Sequence, residues 1–72
     1  MMPLSIAPLS TEVKVMKLLT DEKLKQHLNN LGIIVGSNIT LIQEKKGDVI
    51  LNVKGVRVAL NKTLAQKIYV TV

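Results

Sequence analysis

Three short segments with alternating apolar and polar residues, two of them joined by a tight glycine-containing link, constrain the fold more than any other feature. The alternating apolar positions are Val49, Leu51 and Val53, then Val56, Val58 and Leu60, then Ile68, Val70 and Val72. A period of two is typical of strands that are buried on one face only. Lys54-Gly55 is a two-residue link between the first two segments, and such links join antiparallel strands when glycine supplies a positive φ. The sequence therefore predicts a sheet built from hairpins.

Two further strands are predicted upstream of these segments. One runs over Asn38–Glu44 and ends before a second turn signal, Lys46–Asp48. The other runs over Glu12–Leu19 and is rich in β-branched residues. In that strand Val15 and Leu18 stand in opposite phases, and this change of phase predicts a bend or bulge.

Helix signals lie between the strands. Thr20 is the expected N-cap of an α-helix, with the acidic residues Asp21 and Glu22 in its first turn and Gly32 at its end. Its apolar stripe consists of Leu24, Leu28 and Leu31. A helical turn capped by Asn61 is expected before the last strand. About five antiparallel strands, with one α-helix after the first strand and a short helical turn before the last, indicate a mainly β fold that closes into a small barrel.

The length and composition limit the organisation of the chain. Seventy-two residues provide one small core, so we expect a single domain over residues 1–72. No apolar run approaches the roughly 18 residues that a membrane span requires, and the N-terminus lacks the charged start of a secretory signal. We therefore expect a cytoplasmic protein with no membrane insertion. The absence of cysteine excludes disulfides and thiolate chemistry.

The residues needed for catalysis do not form a recognisable pattern. His27 is the only histidine and is expected to be a partly exposed helix residue, since no serine or acid stands at a helical spacing that would pair with it. The five carboxylates lie at predicted turns and at the ends of elements, and the four glycines are isolated. We therefore predict no catalytic, cofactor or metal site, and no enzymatic activity.

The net charge of +5, from ten Lys and Arg against five Asp and Glu, suits an anionic partner. A small basic nucleic-acid-binding barrel is therefore an alternative function. Such barrels stack bases on aromatic side chains, and Tyr69 is the only aromatic residue here. The basic residues are also dispersed along the sequence, so we expect solvated surface and no nucleic-acid partner.

Three apolar residues stand in the opposite strand phase from the predicted core. They are Ile42, Ile50 and Tyr69. Exposed apolar side chains of this kind can mark a partner-binding surface. The other interpretation is that they pack under a helix or a loop, and strand phase alone does not separate the two.

The segment 28–37, Leu-Asn-Asn-Leu-Gly-Ile-Ile-Val-Gly-Ser, resembles the FeoA family pattern Leu-x-x-Leu-Gly-Ile-x-Pro-Gly-Thr. The resemblance continues in order through nearly the whole chain. Its further matches are Gly47-Asp48, Val53, Gly55, Ala59-Leu60, Leu64-Ala65, Ile68 and Val70. The chain departs from the family at four positions: Ser10 replaces a usual Gly, His27 a common Arg, Val35 a Pro, and Asn61 a frequent basic residue.

This resemblance implies an SH3-like barrel, a fold that also forms the C-terminal domain of iron-dependent repressors of the diphtheria-toxin-repressor type. It implies an accessory or regulatory role in bacterial ferrous iron uptake, as a non-enzymatic partner of the transporter FeoB. Arg57 is the only arginine and is expected to point outward, so it could approach a phosphate in the GTP-binding domain of FeoB. The other interpretation of Arg57 is an ordinary exposed strand residue. A weak homo-oligomer through a strand edge is also open.

Overall fold

Six strands and three helical segments follow one another in the computed structural model, which describes residues 1–72. They are β1 (Met2–Pro3), a 3₁₀ helix (Leu4–Ile6), β2 (Glu12–Leu18), α1 (Glu22–Asn30), β3 (Asn38–Lys45), β4 (Asp48–Val53), β5 (Val56–Leu60), α2 (Lys62–Ala65) and β6 (Ile68–Thr71). The predicted mainly β fold, with a helix after the first long strand and a helical turn before the last, is confirmed.

The strands form one antiparallel sheet in the order β1-β6-β2-β3-β4-β5. No ladder joins the two edge strands, β1 and β5. The α2 turn contacts β4 and β5 and also the 3₁₀ helix that follows β1. Helical segments therefore connect the two edges at the place where a fully hydrogen-bonded barrel would have a ladder.

The sequence prediction of about five strands misses β1. This strand pairs Met2 with Val70 and Pro3 with Tyr69, and it is too short to show any alternation. Leu4, directly after β1, is fully buried. The N-terminal segment is thus part of the folded core.

The core consists of seventeen buried residues, all of them hydrophobic. The predicted phase change in β2 is confirmed, because the pairing of β2 with β6 shifts register between Val15 and Lys17. That shift allows Val15 and Leu18 to be buried together. Met16, the residue inside the shift, is left 44% exposed.

The prediction that Thr20 caps α1 is wrong by one residue. Asp21 is the N-cap, and its Oδ1 accepts a hydrogen bond of 2.9 Å from the backbone N–H of Leu24. A carboxylate at this position also interacts favourably with the positive end of the helix dipole, which a threonine hydroxyl does less well. The Asn61 cap is confirmed, since its Oδ1 accepts from the N–H of Leu64 at 2.9 Å.

Two residues of the alternating pattern do not enter the core as the strand phase predicts. Val56 is 63% exposed and Val72 is 75% exposed. Val56 follows the Gly55 turn directly, and Val72 is the C-terminal residue beyond β6. Both side chains have the inward strand phase. They lie at the ends of the sheet, where the core no longer covers them.

Candidate functional site

Two tight turns determine which residues face one another on the β3-β4-β5 meander. In each turn both central residues have positive φ: 54° and 93° at Lys46 and Gly47, and 52° and 83° at Lys54 and Gly55. This is the type I′ geometry, whose twist matches that of the strands it joins. Each turn therefore sets the register of its hairpin, which in β3-β4 holds as far as the shift between Leu41 and Gln43.

The register brings two rows of outward residues together on this meander. One row aligns Gln43, Ile50 and Ala59, and it contains the apolar surface. Ile42 lies beside this row, at the register shift between Leu41 and Gln43.

The second outward row aligns Thr40, Asn52 and Arg57. The inward residues between the two rows, such as Leu51, are fully buried. Arg57 is exposed at the β5 end of this row. The outer face of the meander is therefore a mixed apolar and polar surface.

A shallow groove of about 470 Å³ lies on this face. Ile50 and Ala59 line its floor, and Gln43, Lys45 and Lys46 lie among the residues around them. Ile50 is half-buried and Ala59 is exposed. The groove thus combines an apolar floor with basic side chains.

Three lysines lie at the β3-β4 turn, and we call them the lysine cluster: Lys45, Lys46 and Lys62. The aliphatic carbons of Lys62 lie 2.6 to 3.1 Å from the position that a Cβ on Gly47 would occupy. Only glycine allows the Lys62 side chain to cross this turn so closely. Lys62, remote in sequence, is therefore held against the tip of the hairpin.

The two carboxylates near the lysine cluster already accept hydrogen bonds from the backbone. Glu44 accepts from the N–H of Gly47 at 2.7 Å, and Asp48 accepts from the N–H of Lys62 at 2.8 Å. These bonds stabilise the hairpin turn and the start of α2. The carboxylates thus have a structural role within the site.

The structure brings together three of the four residues predicted to bind a partner. Ile42, Ile50 and Arg57 all lie on the outer face of the meander. Tyr69 is on β6, which β2 and β3 separate from β4, and its neighbours in the sheet are Pro3 and Lys17. Tyr69 thus lies on a part of the outer surface away from the meander. Ile42, Ile50 and Tyr69 are all half-buried. This burial is intermediate between a fully exposed partner-binding surface and packing under a helix or a loop.

Two other concave regions lie on the surface of the chain. A polar one of about 440 Å³ has no hydrophobic lining residue, and it includes Asn52, whose buried Oδ1 lacks a hydrogen-bond partner. The other lies along α1, where His27 is exposed beside Asp21, Lys23 and Leu24. No three His, Asp or Glu side chains converge in an arrangement that could hold a metal ion. None of the helices has the length and hydrophobicity needed to cross a bilayer.

The lysine cluster was missed in the sequence, where the basic residues look dispersed. The signal that could have revealed it is the register imposed by Lys54-Gly55. Counting outward from that turn pairs Val49 with Leu60, and two more steps place Lys62 opposite Gly47. The register set by a two-residue turn therefore predicts which distant residues meet, if the pairing of β4 with β5 is extended beyond Leu60.

Comparisons with known proteins agree with this fold. The model of the FeoA domain family matches residues 2–72. Fe(2+) transport protein A of Methanocaldococcus jannaschii is 37% identical over 70 residues, which are 97% of this chain and 85% of the relative. The crystal structure of an iron uptake regulatory protein, FeoA, aligns with a TM-score of 0.85 and 30% identity over 94% of this chain and 92% of that one.

The same fold also occurs within a larger protein. The structure of ScaR with bound Zn²⁺ aligns with a TM-score of 0.85 over 97% of this chain but only 36% of ScaR, at 24% identity. The fold and its outer face therefore define a small SH3-like barrel domain. Within that class the chain belongs to the FeoA domain family, and it is involved in ferrous iron transport.

Proposed function

We propose that this chain is a cytoplasmic accessory protein of ferrous iron uptake that docks on the transporter FeoB without catalysing a reaction itself. The family match over residues 2–72 supports the link to iron uptake. The observation that carries the docking role is the groove on the meander, where Ile50 and Ala59 lie beside two members of the lysine cluster, Lys45 and Lys46. An apolar floor beside basic groups suits a protein surface that presents apolar and acidic side chains.

In this proposal the chain acts by differential affinity. If the docking face binds one conformation of the GTP-binding domain of FeoB more tightly than another, binding shifts the population toward that conformation. The shift cannot exceed the difference between the two binding free energies. The chain therefore needs a well-placed surface and no reactive group.

The test is binding of the purified chain to the soluble GTP-binding domain of FeoB from the same source, with GDP and with a non-hydrolysable GTP analogue. We expect binding that depends on the nucleotide and that weakens at least tenfold, about 1.4 kcal/mol, in Ile50→Asp. Leu19→Asp is the matched control, because Leu19 is an exposed apolar residue outside the meander. Circular dichroism establishes that both variants are folded. Absence of binding in every nucleotide state, or equal weakening by both variants, would contradict the proposal.

Tyr69 is tested in the same binding assay, and Arg57 is tested by the rate of GTP hydrolysis. Tyr69→Asp changes the outer surface of β6, away from the meander. A loss of binding in this variant would extend the docking surface to β6. Arg57→Ala tests a role in GTP hydrolysis, since an arginine that stabilises the transferring phosphate accelerates hydrolysis by orders of magnitude. An unchanged hydrolysis rate in Arg57→Ala would refute that role of Arg57.

A nucleic-acid role is distinguished by its dependence on salt. Binding through phosphates falls steeply with ionic strength. Docking through basic side chains also weakens with salt, but the part of the affinity that comes from burying Ile50 is retained at high salt. Measuring the affinity at two salt concentrations therefore separates a docking face with an apolar floor from a purely electrostatic one.

A further inference from the structure

β5 is an edge strand with an unpaired side. It ends the sheet order and pairs only with β4. Outside the strand ladders and helices, no backbone hydrogen bond involves any residue of β5. The α2 turn contacts β5, but no backbone group of the chain pairs with the free side of the strand. An edge strand of this kind is a template on which another strand can add.

The turn at Lys54-Gly55 determines which backbone groups point away from β4. In a two-residue hairpin, the residues that flank the turn exchange both hydrogen bonds, and the bonded and non-bonded pairs then alternate along the ladder. Val53 pairs with Val56, so the next bonded pair is Leu51 with Val58. Arg57 and Ala59, on either side of Val58, belong to the non-bonded pairs with Asn52 and Ile50. Their N–H and C=O groups therefore point toward the free edge.

The side chains at this edge differ in the partner that they favour. Arg57 and Ala59 are both exposed, and both belong to the outward rows of the meander. A residue placed opposite Arg57 by an added strand would have its Cβ about 5 Å away, where a carboxylate can pair with the guanidinium. Opposite Ala59, the small methyl group leaves room for a long apolar side chain to extend over the groove toward Ile50.

We propose that β5 captures an extended acidic segment of a protein partner by strand addition. The segment has an acidic residue opposite Arg57 and an apolar residue two positions away, opposite Ala59. A further acid beyond the apolar residue faces the end of β5 that adjoins the lysine cluster. This proposal rests on the proposed function only in taking the transporter as the source of that segment.

The charge distribution favours such a segment over two other occupants. A second copy of this chain would bring a further Arg57 and its flanking lysines to the same edge, and like charges across strands are destabilising. A nucleic acid would find no aromatic side chain among the residues of the groove on which to stack a base. An acidic extended peptide satisfies both the unpaired backbone and the basic side chains.

The probe is a synthetic peptide, Thr-Glu-Thr-Leu-Thr-Glu-Thr, blocked at both ends. The signature is slowed amide hydrogen exchange at Arg57 and Ala59 on peptide binding, because both amides gain acceptors. The matched control peptide has the same side chains but is N-methylated at one Glu and at the Leu, which removes the donors that strand addition needs. We expect at least about tenfold weaker binding of this control. Equal binding of both peptides, or unchanged exchange at Arg57 and Ala59, would overturn the proposal.

Two protein variants test the edge and its charge. Ala59→Pro removes an N–H that points away from β4, so it should block the added strand and preserve the ladder. Arg57→Glu reverses the charge at the edge, and Lys23→Glu makes the same change in net charge on α1. We expect at least about tenfold weaker peptide binding in Ala59→Pro and Arg57→Glu, and less than about twofold in Lys23→Glu. Equal effects of the two charge reversals would overturn the role of Arg57.

The transporter domain is measured in parallel. If it binds the wild type and folded Ala59→Pro equally, strand addition is refuted while docking stands. If the peptide protects Arg57 and Ala59 but the transporter domain does not bind, the edge site is supported and the transporter is the wrong partner. Displacement of the peptide by an equally charged oligonucleotide but not by the transporter domain would overturn the choice of a protein partner.

Discussion

Replacing Gly32 by alanine tests how the end of α1 packs against the sheet. Gly32 has a φ of +92°, and a Cβ built on it would lie 2.8 Å from Cγ1 of Val53. Val53 is buried and has a stiff β-branched side chain, so it cannot easily move aside. The left-handed conformation costs a non-glycine residue about 1–2 kcal/mol, and overpacking adds about 1–3 kcal/mol. Gly32→Ala should therefore reduce the free energy of unfolding by about 2–5 kcal/mol.

Gly36 provides a matched control for this variant. Its φ is +95°, nearly the same as that of Gly32, and nothing lies within 4 Å of its added Cβ. Gly36→Ala should therefore lose only the conformational part, about 1–2 kcal/mol. In a Val53→Ala background, which removes Cγ1, the loss caused by Gly32→Ala should fall toward that same value.

The assay is equilibrium unfolding in urea followed by circular dichroism. For a domain of this size, each kcal/mol also corresponds to a change in Tm of about 4–8 °C, so thermal unfolding provides a second measure. Equal losses for Gly32→Ala and Gly36→Ala would refute the steric reasoning. An unchanged loss in the Val53→Ala background would show that Val53 is not the obstructing side chain.

Three further variants test local features by the same unfolding assay. Lys54→Asn should raise the free energy of unfolding by about 0.5–1 kcal/mol, because asparagine tolerates the φ of 52° better than lysine; Lys17→Asn, outside the turns, should give no such gain. Ser10→Gly should stabilise by up to about 1 kcal/mol, since Ser10 has a φ of 60°, and a loss of stability there would contradict the strain. Asp21→Ala should cost about 1 kcal/mol through loss of the N-cap, whereas Asp21→Asn, which keeps an acceptor oxygen, should cost less.

The parts of the fold that the sequence predicts are those governed by local patterns. Alternation over β4 and β5 and the two Lys-Gly turns are short-range signals, and the structure reproduces them. The phase change at Val15 and Leu18 predicts the register shift for the same reason. β1 escapes prediction because its two residues become a strand only by pairing with β6, at the other end of the chain.

The candidate site was predictable in part. Strand phase selects Ile50 and Arg57, and the hairpin register places them on one face. Strand phase alone also selects Tyr69, because it does not say which strands are neighbours. The sheet order places Tyr69 on β6, away from the meander. The free edge of β5 depends on the tertiary arrangement, so no residue pattern within one strand could reveal it. The approach of Lys62 to Gly47 follows only when the register of the Lys54-Gly55 hairpin is extended past the end of β5.

The sheet order also has a consequence for folding kinetics. The meander closes through two turns of two residues, so its contacts form at little cost in loop entropy. β6 must instead find both β1 and β2, pairing Val70 with Met2 and Val15 across most of the chain. Long-range pairing of this kind slows folding, so we expect the pairing of β6 to be the slow step. Altering the Lys-Gly turns should then change an early, local phase of folding, while substitutions in β6 act on the passage over the main barrier.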